Sequence, residues 1–112
     1  MDIEVRNQDR VKIIKLRGKL GLGDAVDRLR ETLDDLMASG DSRIVLDLAD
    51  VPMVDSSGIG LLVKSLASAK QRGGTIRLLN PSKFTVQTLK MIGLLNQFEL
   101  FSDQQAAIAS FS

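Results

Sequence analysis

Apolar positions along the chain change their period several times, and each change marks the border of a predicted element. Ile3 and Val5 alternate with polar neighbours, and a β-rich run from Val11 to Leu16 follows the turn-forming cluster Asn7-Gln8-Asp9. Together these signals predict a hairpin. The three glycines Gly18, Gly21 and Gly23 predict a loop, and Asp24 then stands where a helix cap is wanted. Val26, Leu29, Leu33, Leu36 and Met37 keep the spacing of one buried helical stripe, closed by Ser39-Gly40. Arg43-Ile44-Val45-Leu46-Asp47-Leu48 is almost unbroken in its apolar character, the pattern of a strand covered on both faces. A helical period returns at Ile59, Leu62, Val63, Leu66 and Ala69 and stops at Gly73-Gly74. Thr75 to Leu79 is the next strand, ended by Asn80-Pro81, and Val86, Leu89 and Ile92 predict a third helix up to Gly93. Phe98 to Phe101 reads as a short strand, and Ser102-Asp103 opens a last helix carrying Ala106, Ala107 and Ile108.

Strands that alternate with helices long enough for right-handed crossovers imply an α/β fold. The expectation is one domain over residues 1–112. Its central sheet would be mostly parallel, with an antiparallel N-terminal edge strand and about four packed helices. In such sheets ligands gather at the carboxyl ends of the strands. The run Val54-Asp55-Ser56-Ser57-Gly58-Ile59-Gly60 falls at one of those ends, at a strand-to-helix turn. Unpaired N–H groups of a new helix attract anions there.

A serine in that place can cap the helix, carry a phosphate or act as a nucleophile. Capping is the simplest role, and Asp55 and Ser57 can share it. Composition removes the nucleophile: the chain has no histidine to act as base and no G-x-S-x-G elbow. It also has no cysteine, tryptophan or tyrosine, so thiolate chemistry, the commonest zinc ligands and most aromatic stacking platforms are missing. A phosphate-binding loop is disfavoured because the G-x-x-x-x-G-K-[ST] pattern does not occur. Phosphorylation remains open: a phosphoryl group on Ser56 would add about −1.5 to −2 charges beside a helix N-terminus that partly stabilises them.

Charge adds one detail. The net charge is +1, yet residues 1–55 carry nine basic and twelve acidic side chains, and residues 56–112 carry six basic and two acidic ones. Solvated faces explain most of this asymmetry; Lys64, Lys70, Arg72, Lys83 and Lys90 give a mildly basic surface near the serine turn. The charge is too small and too dispersed for nucleic-acid binding. The start of the chain has no signal-peptide core, and no stretch reaches the roughly 18 apolar residues that span a bilayer, so a cytoplasmic protein is expected.

Ile44-Val45-Leu46-Asp47-Leu48, the D-S-S-G-I-G run at Asp55 to Gly60, Gly73-Gly74, Leu78-Leu79-Asn80-Pro81 and the Leu89 to Leu94 ending closely resemble the STAS domains of bacterial anti-sigma factor antagonists. The resemblance covers essentially the whole chain. It implies a non-enzymatic phospho-switch without a cofactor or metal of its own. Ser56 would be phosphorylated by a partner that is both anti-sigma factor and GHKL-type serine kinase, which supplies ATP and Mg²⁺. The unphosphorylated form would bind that partner and free its sigma factor, and a serine phosphatase would reset the system. Asp55, Ser57 and Gly58 would shape the phosphosite turn.

In the family the helix after the turn is the docking surface. Here that places Ile59, Gly60, Leu61, Lys64 and Ser68 at the interface. By helical pitch Gly60, Leu61, Lys64 and Ser68 lie opposite the apolar stripe. Lys19 and Gly21 join them from the facing loop, and there the chain departs from the family. Switching members carry G-E-L-D in that loop, whereas this chain has Gly18-Lys19-Leu20-Gly21. Lysine and glycine replace two acids, and Asp24 lies three residues further on. The departure keeps a second reading in view, a non-switching STAS scaffold or accessory subunit of a signalling assembly or ABC transporter. A third reading, enzymatic, would have the strand ends bind a nucleotide or small anion.

Overall fold

The computed structural model describes residues 1–111. Strands β1 (Asp2–Gln8) and β2 (Val11–Arg17) lead into helix α1 (Asp24–Ala38), and β3 (Arg43–Asp50) precedes α2 (Ser56–Gln71). Then follow β4 (Thr75–Leu79), α3 (Lys83–Met91), a 3₁₀ turn at Leu95–Gln97, β5 (Leu100–Phe101) and α4 (Gln104–Ala109). The sheet order is β1-β2-β3-β4-β5, with β1 antiparallel to β2 and every other pair parallel. The expected α/β architecture is the one found.

The order of strands explains the layers. Each crossover from β2 to β5 moves one place in the same direction, and right-handed crossovers then put α1, α2 and α3 on one face. Ile14, Leu16, Ile44, Leu46, Leu48, Ile76 and Leu78 point into that layer and meet Val26, Leu29, Leu33, Leu62 and Leu89. The other face is thinner. Val11, Ile13, Val45 and Leu79 are covered there by Ala107 and Ile108 of α4, with Phe101 and Phe111 at the margin. β3 is buried from Ile44 to Leu48 because it is covered on both sides, which accounts for its unbroken apolar run. Asp47 is buried on the α4 side, where its carboxylate meets Lys15 Nζ at 3.3 Å and accepts the Ala49 N–H at 3.1 Å.

Several boundaries differ from the expectations. The first turn is Asp9-Arg10, since Asn7 and Gln8 still pair with Lys12 and Val11. Both turn residues have positive φ (53° and 66°), the type I′ geometry that matches strand twist. Asp24 does not cap α1; the cap is Gly23, at φ 110° and ψ −137°, a conformation essentially restricted to glycine. Asp24 and Asp27 instead occupy the first turn of α1, where negative charge suits the helix dipole. β5 is only Leu100–Phe101, because Phe98 turns inward and is buried in the helical layer. Asp103 does cap α4, its carboxylate accepting the Ala106 N–H at 3.0 Å.

Candidate functional site

The serine turn is held from two sides. Val54 bridges to Leu20 of the β2–α1 loop, and three backbone bonds fasten the two segments: Gly18 N–H to Asp50 O, Leu20 N–H to Met53 O and Asp55 N–H to Leu20 O, at 3.0 to 3.1 Å. Gly58 lets them close up. A Cβ at that position would lie 2.7 Å from Val54 Cγ1 and 2.8 Å from the Leu20 carbonyl oxygen.

Asp55 performs the capping. One carboxylate oxygen accepts the Gly58 N–H at 2.9 Å, and the other accepts the Leu22 N–H of the facing loop at 2.8 Å. Ser57, which could have shared the cap, is instead the second residue of α2 and half-buried, while Ser56 is its first residue and exposed. These donors lower the Asp55 pKa below its ordinary 3.8: first Gly58, then Leu22, with smaller contributions from the Ser57 N–H and the charge of Lys19, against opposing desolvation.

A depressed carboxylate pKa carries a definite sign. The unfolded chain holds the proton more tightly, so the stabilisation is full above the ordinary aspartate value and is lost as pH falls through the folded one. Asp55→Asn keeps one acceptor for Gly58 but turns its amide group toward the Leu22 N–H. The variant is therefore expected to be less stable than the parent at neutral pH, with the gap narrowing below pH 3.8. Urea midpoints measured from pH 7 down to pH 3 check this; a gap of constant size would show that the carboxylate charge is irrelevant.

The departures in the facing loop sit against this carboxylate. Gly21 is buried, and a Cβ there would meet Asp55 Oδ2 at 3.0 Å and Lys19 Cε at 3.3 Å. Lys19, Gly21, Leu22, Ala25 and Asp55 border a recess of about 310 Å³. Asp24 opens α1 as an exposed residue. Lys19 thus brings positive charge to the turn where an acid was expected from the family pattern.

On the far side of Ser56 lies an apolar groove of about 420 Å³ between α2 and α3, lined by Ser56, Ile59, Gly60, Val63, Ile92 and Leu94. Helix α2 lies between α1 and α3, so its buried arc is wide. Leu61, expected on the outward face, is buried and lines a small cleft with Arg30, Asp34 and Met37 of α1. Ser68 borders the same cleft and is half-buried. The outward stripe consists of Ser56, Gly60, Lys64 and Ala67. Ile59 is buried at the groove floor.

Ile92 was expected in the core stripe of α3. It is the C-cap residue, half exposed at the groove. Leu22, 83 % exposed beside Asp55, was not picked out from the sequence at all. An apolar residue in a glycine-rich loop gives no periodic signal, so only its position relative to the turn reveals it.

Another cleft, of about 510 Å³, lies among Arg10, Lys12, Asp41, Arg43 and Arg72 at the opposite ends of the parallel strands. Of its cations, Arg72 is tied to the C-terminal end of α1, where positive charge is favoured: its Nη1 donates to the Met37 carbonyl at 3.1 Å.

The STAS domain family model matches residues 2–107. The chain belongs to the STAS domain family. It is 29% identical over 94 residues to an anti-sigma-B factor antagonist of Staphylococcus aureus, covering 84% of this chain and 86% of that one. Identity to an anti-sigma-B factor antagonist of Bacillus subtilis is 26% over 109 residues, covering 96% and 97%. A putative anti-sigma factor antagonist from Thermotoga maritima has the same fold, with a TM-score of 0.89 at 22% identity over 96% of this chain and 92% of that one. So has the Bacillus cell fate determinant SpoIIAA in its phosphorylated form, with a TM-score of 0.80 at 22% identity over 99% and 100%.

The similar curated proteins are anti-sigma factor antagonists, and this family is one of binding proteins rather than enzymes. No helix among the described residues is long and apolar enough to cross a membrane.

Proposed function

We propose that this STAS domain is an anti-sigma factor antagonist that switches partners through Ser56. The observation that carries the reading is the division of labour at the turn. Asp55 supplies the cap, so the exposed hydroxyl of Ser56 is not needed to hold the helix. Removing or modifying it leaves the supporting bonds in place.

The partner is an anti-sigma factor that is also a GHKL-type serine kinase. Its ATP and Mg²⁺ provide the phosphoryl group: the Ser56 oxygen attacks the γ-phosphorus, the bond to ADP breaks, and the hydroxyl proton passes to a base of the kinase. The unmodified domain binds the kinase over the turn, the outward stripe of α2 and the neighbouring groove, and so releases the sigma factor. Leu22 and Ile92 supply apolar contacts on the two sides of Ser56, and Gly60 and Lys64 lie between the turn and the exposed length of the helix. Lys19 offers a charge complementary to an acidic residue of the partner. A serine phosphatase reverses the modification.

The loop residues Lys19 and Gly21 also support a second reading, a STAS scaffold in a signalling assembly or beside a transporter ATPase that is never phosphorylated. Incubation with the cognate kinase and ATP, followed by mass spectrometry, separates the two. The switch predicts a single phosphate on Ser56, retained in Ser57→Ala and absent from Ser56→Ala. A chain left unmodified, whose partner binding survives Ser56→Asp, is a scaffold.

A further inference from the structure

β1 is an edge strand. It pairs with β2 along all of its seven residues without a bulge, and its other flank is free of strands among the described residues. It contains no proline to block that flank. What it carries is charge, arranged so that the strand complements itself.

The hairpin fixes which backbone groups point outward. Gln8 and Val11 close the two-residue turn. Hydrogen-bonded pairs therefore fall at Gln8, Arg6, Glu4 and Asp2, and the N–H and C=O groups of Ile3, Val5 and Asn7 face away from β2. A second β1 adding antiparallel must use those groups. Near the middle of the strand, its two-fold axis can then pass through Glu4, Val5 or Arg6. An axis at Glu4 or Arg6 sets two like charges face to face, which is unfavourable. An axis at Val5 sets Glu4 opposite Arg6 of the second copy, twice by symmetry, and Val5 against Val5.

Val5 is 42 % exposed, an apolar side chain in the centre of a polar edge. Within one chain Glu4 meets Arg17 at 3.7 Å and Arg6 at 3.9 Å, contacts between exposed groups that are weak enough to be exchanged.

We propose that the chain self-associates through β1, in an antiparallel pairing about a two-fold axis at Val5 that joins the two sheets into one. This does not depend on the role of Ser56. β2 separates β1 from β3, the strand that leads to the serine turn, so both turns stay uncovered and the pair is bivalent for a partner. A single strand edge buries little area, so the association is weak and depends on concentration.

Sedimentation velocity on the whole chain, from low micromolar to near-millimolar protein, tests the pairing. The parent is expected to pass from monomer to dimer. Glu4→Arg is expected to weaken the association roughly tenfold, by making both cross-strand pairs repulsive. The charge-swapped variant Glu4→Arg/Arg6→Glu restores it. Val5→Pro removes an outward N–H without touching the bonds to β2 and abolishes it, with circular dichroism confirming the fold. A parent that stays monomeric throughout overturns the proposal. So does a dimer that persists in folded Val5→Pro, or a charge-swapped variant no better than Glu4→Arg.

Discussion

Gly58→Ala is expected to destabilise the domain by roughly 3 kcal/mol, the upper end of the usual cost of overpacking. The added methyl group has no room to retreat. It would lie 2.7 Å from Val54 Cγ1, 2.8 Å from Leu20 O and 3.0 Å from Leu20 Cγ, and both neighbours are buried. Pushing Leu20 away breaks the bond its carbonyl accepts from Asp55 N–H and loosens the loop that donates Leu22 N–H to the same carboxylate. One methyl therefore disturbs packing, cap and loop together. Gly60 gives the control. Nothing lies within 4 Å of a Cβ there, so Gly60→Ala should stabilise α2 by about 0.5–1 kcal/mol. Urea denaturation of the two variants is expected to move in opposite directions, and a shift of the same sign in both would refute the packing argument. A partner that lies close along the bare backbone at Gly60 would also bind Gly60→Ala less tightly, although the protein itself is more stable.

That contrast shows where sequence reasoning stops. Among the described residues, periodicity locates α1, α2, α3 and β3, because burial on one stripe or on both faces leaves a regular trace in residue type. By contrast, β5 and α4 are too short for a period and are marked by neighbouring turn and cap residues. Periodicity could not separate Gly58 from Gly60, since neither has a side chain to leave a trace. Their difference is tertiary: Gly58 faces Leu20, thirty-eight residues earlier in the chain, and Gly60 faces solvent. Leu61 failed for a related reason. An outward face drawn from a single stripe assumes one neighbour, whereas α2 has α1 on one flank and α3 on the other, and the apolar type of Leu61 already agreed with burial. The cap was half legible. Asp55, Ser56 and Ser57 are all good cap formers, and only the backbone at Asp55, extended at φ −82° and ψ −177°, decides among them. The departures at Lys19 and Gly21 are visible in the sequence, but their place beside Asp55, around one recess, emerges only when the loop is folded over the turn.

Ser56→Asp is expected to leave the fold almost untouched while lowering affinity for the anti-sigma partner about a hundredfold, the effect of roughly 3 kcal/mol for an uncompensated charge in an interface. The two halves of this prediction have separate causes. Ser56 is the first residue of α2, and the first turn of that helix contains no acidic residue. A carboxylate there gains about 0.3–1 kcal/mol from the helix dipole, and the adjacent charge of Asp55 offsets part of it. Stability should therefore change little. Binding is different, because a partner pressed over the turn strips water from the new charge and brings it against Asp55. Ser56→Ala removes the hydroxyl without adding charge, so its affinity should stay within about tenfold of the parent, the range of one lost hydrogen bond. Calorimetric titration of the three proteins against the partner, with their melting temperatures measured in parallel, distinguishes charge from shape. Equal losses in both variants would mean that the hydroxyl is a contact and that charge is not the switch. Loss confined to Ser56→Asp, in a protein that melts with the parent, would identify the charge as what separates the bound state from the released one.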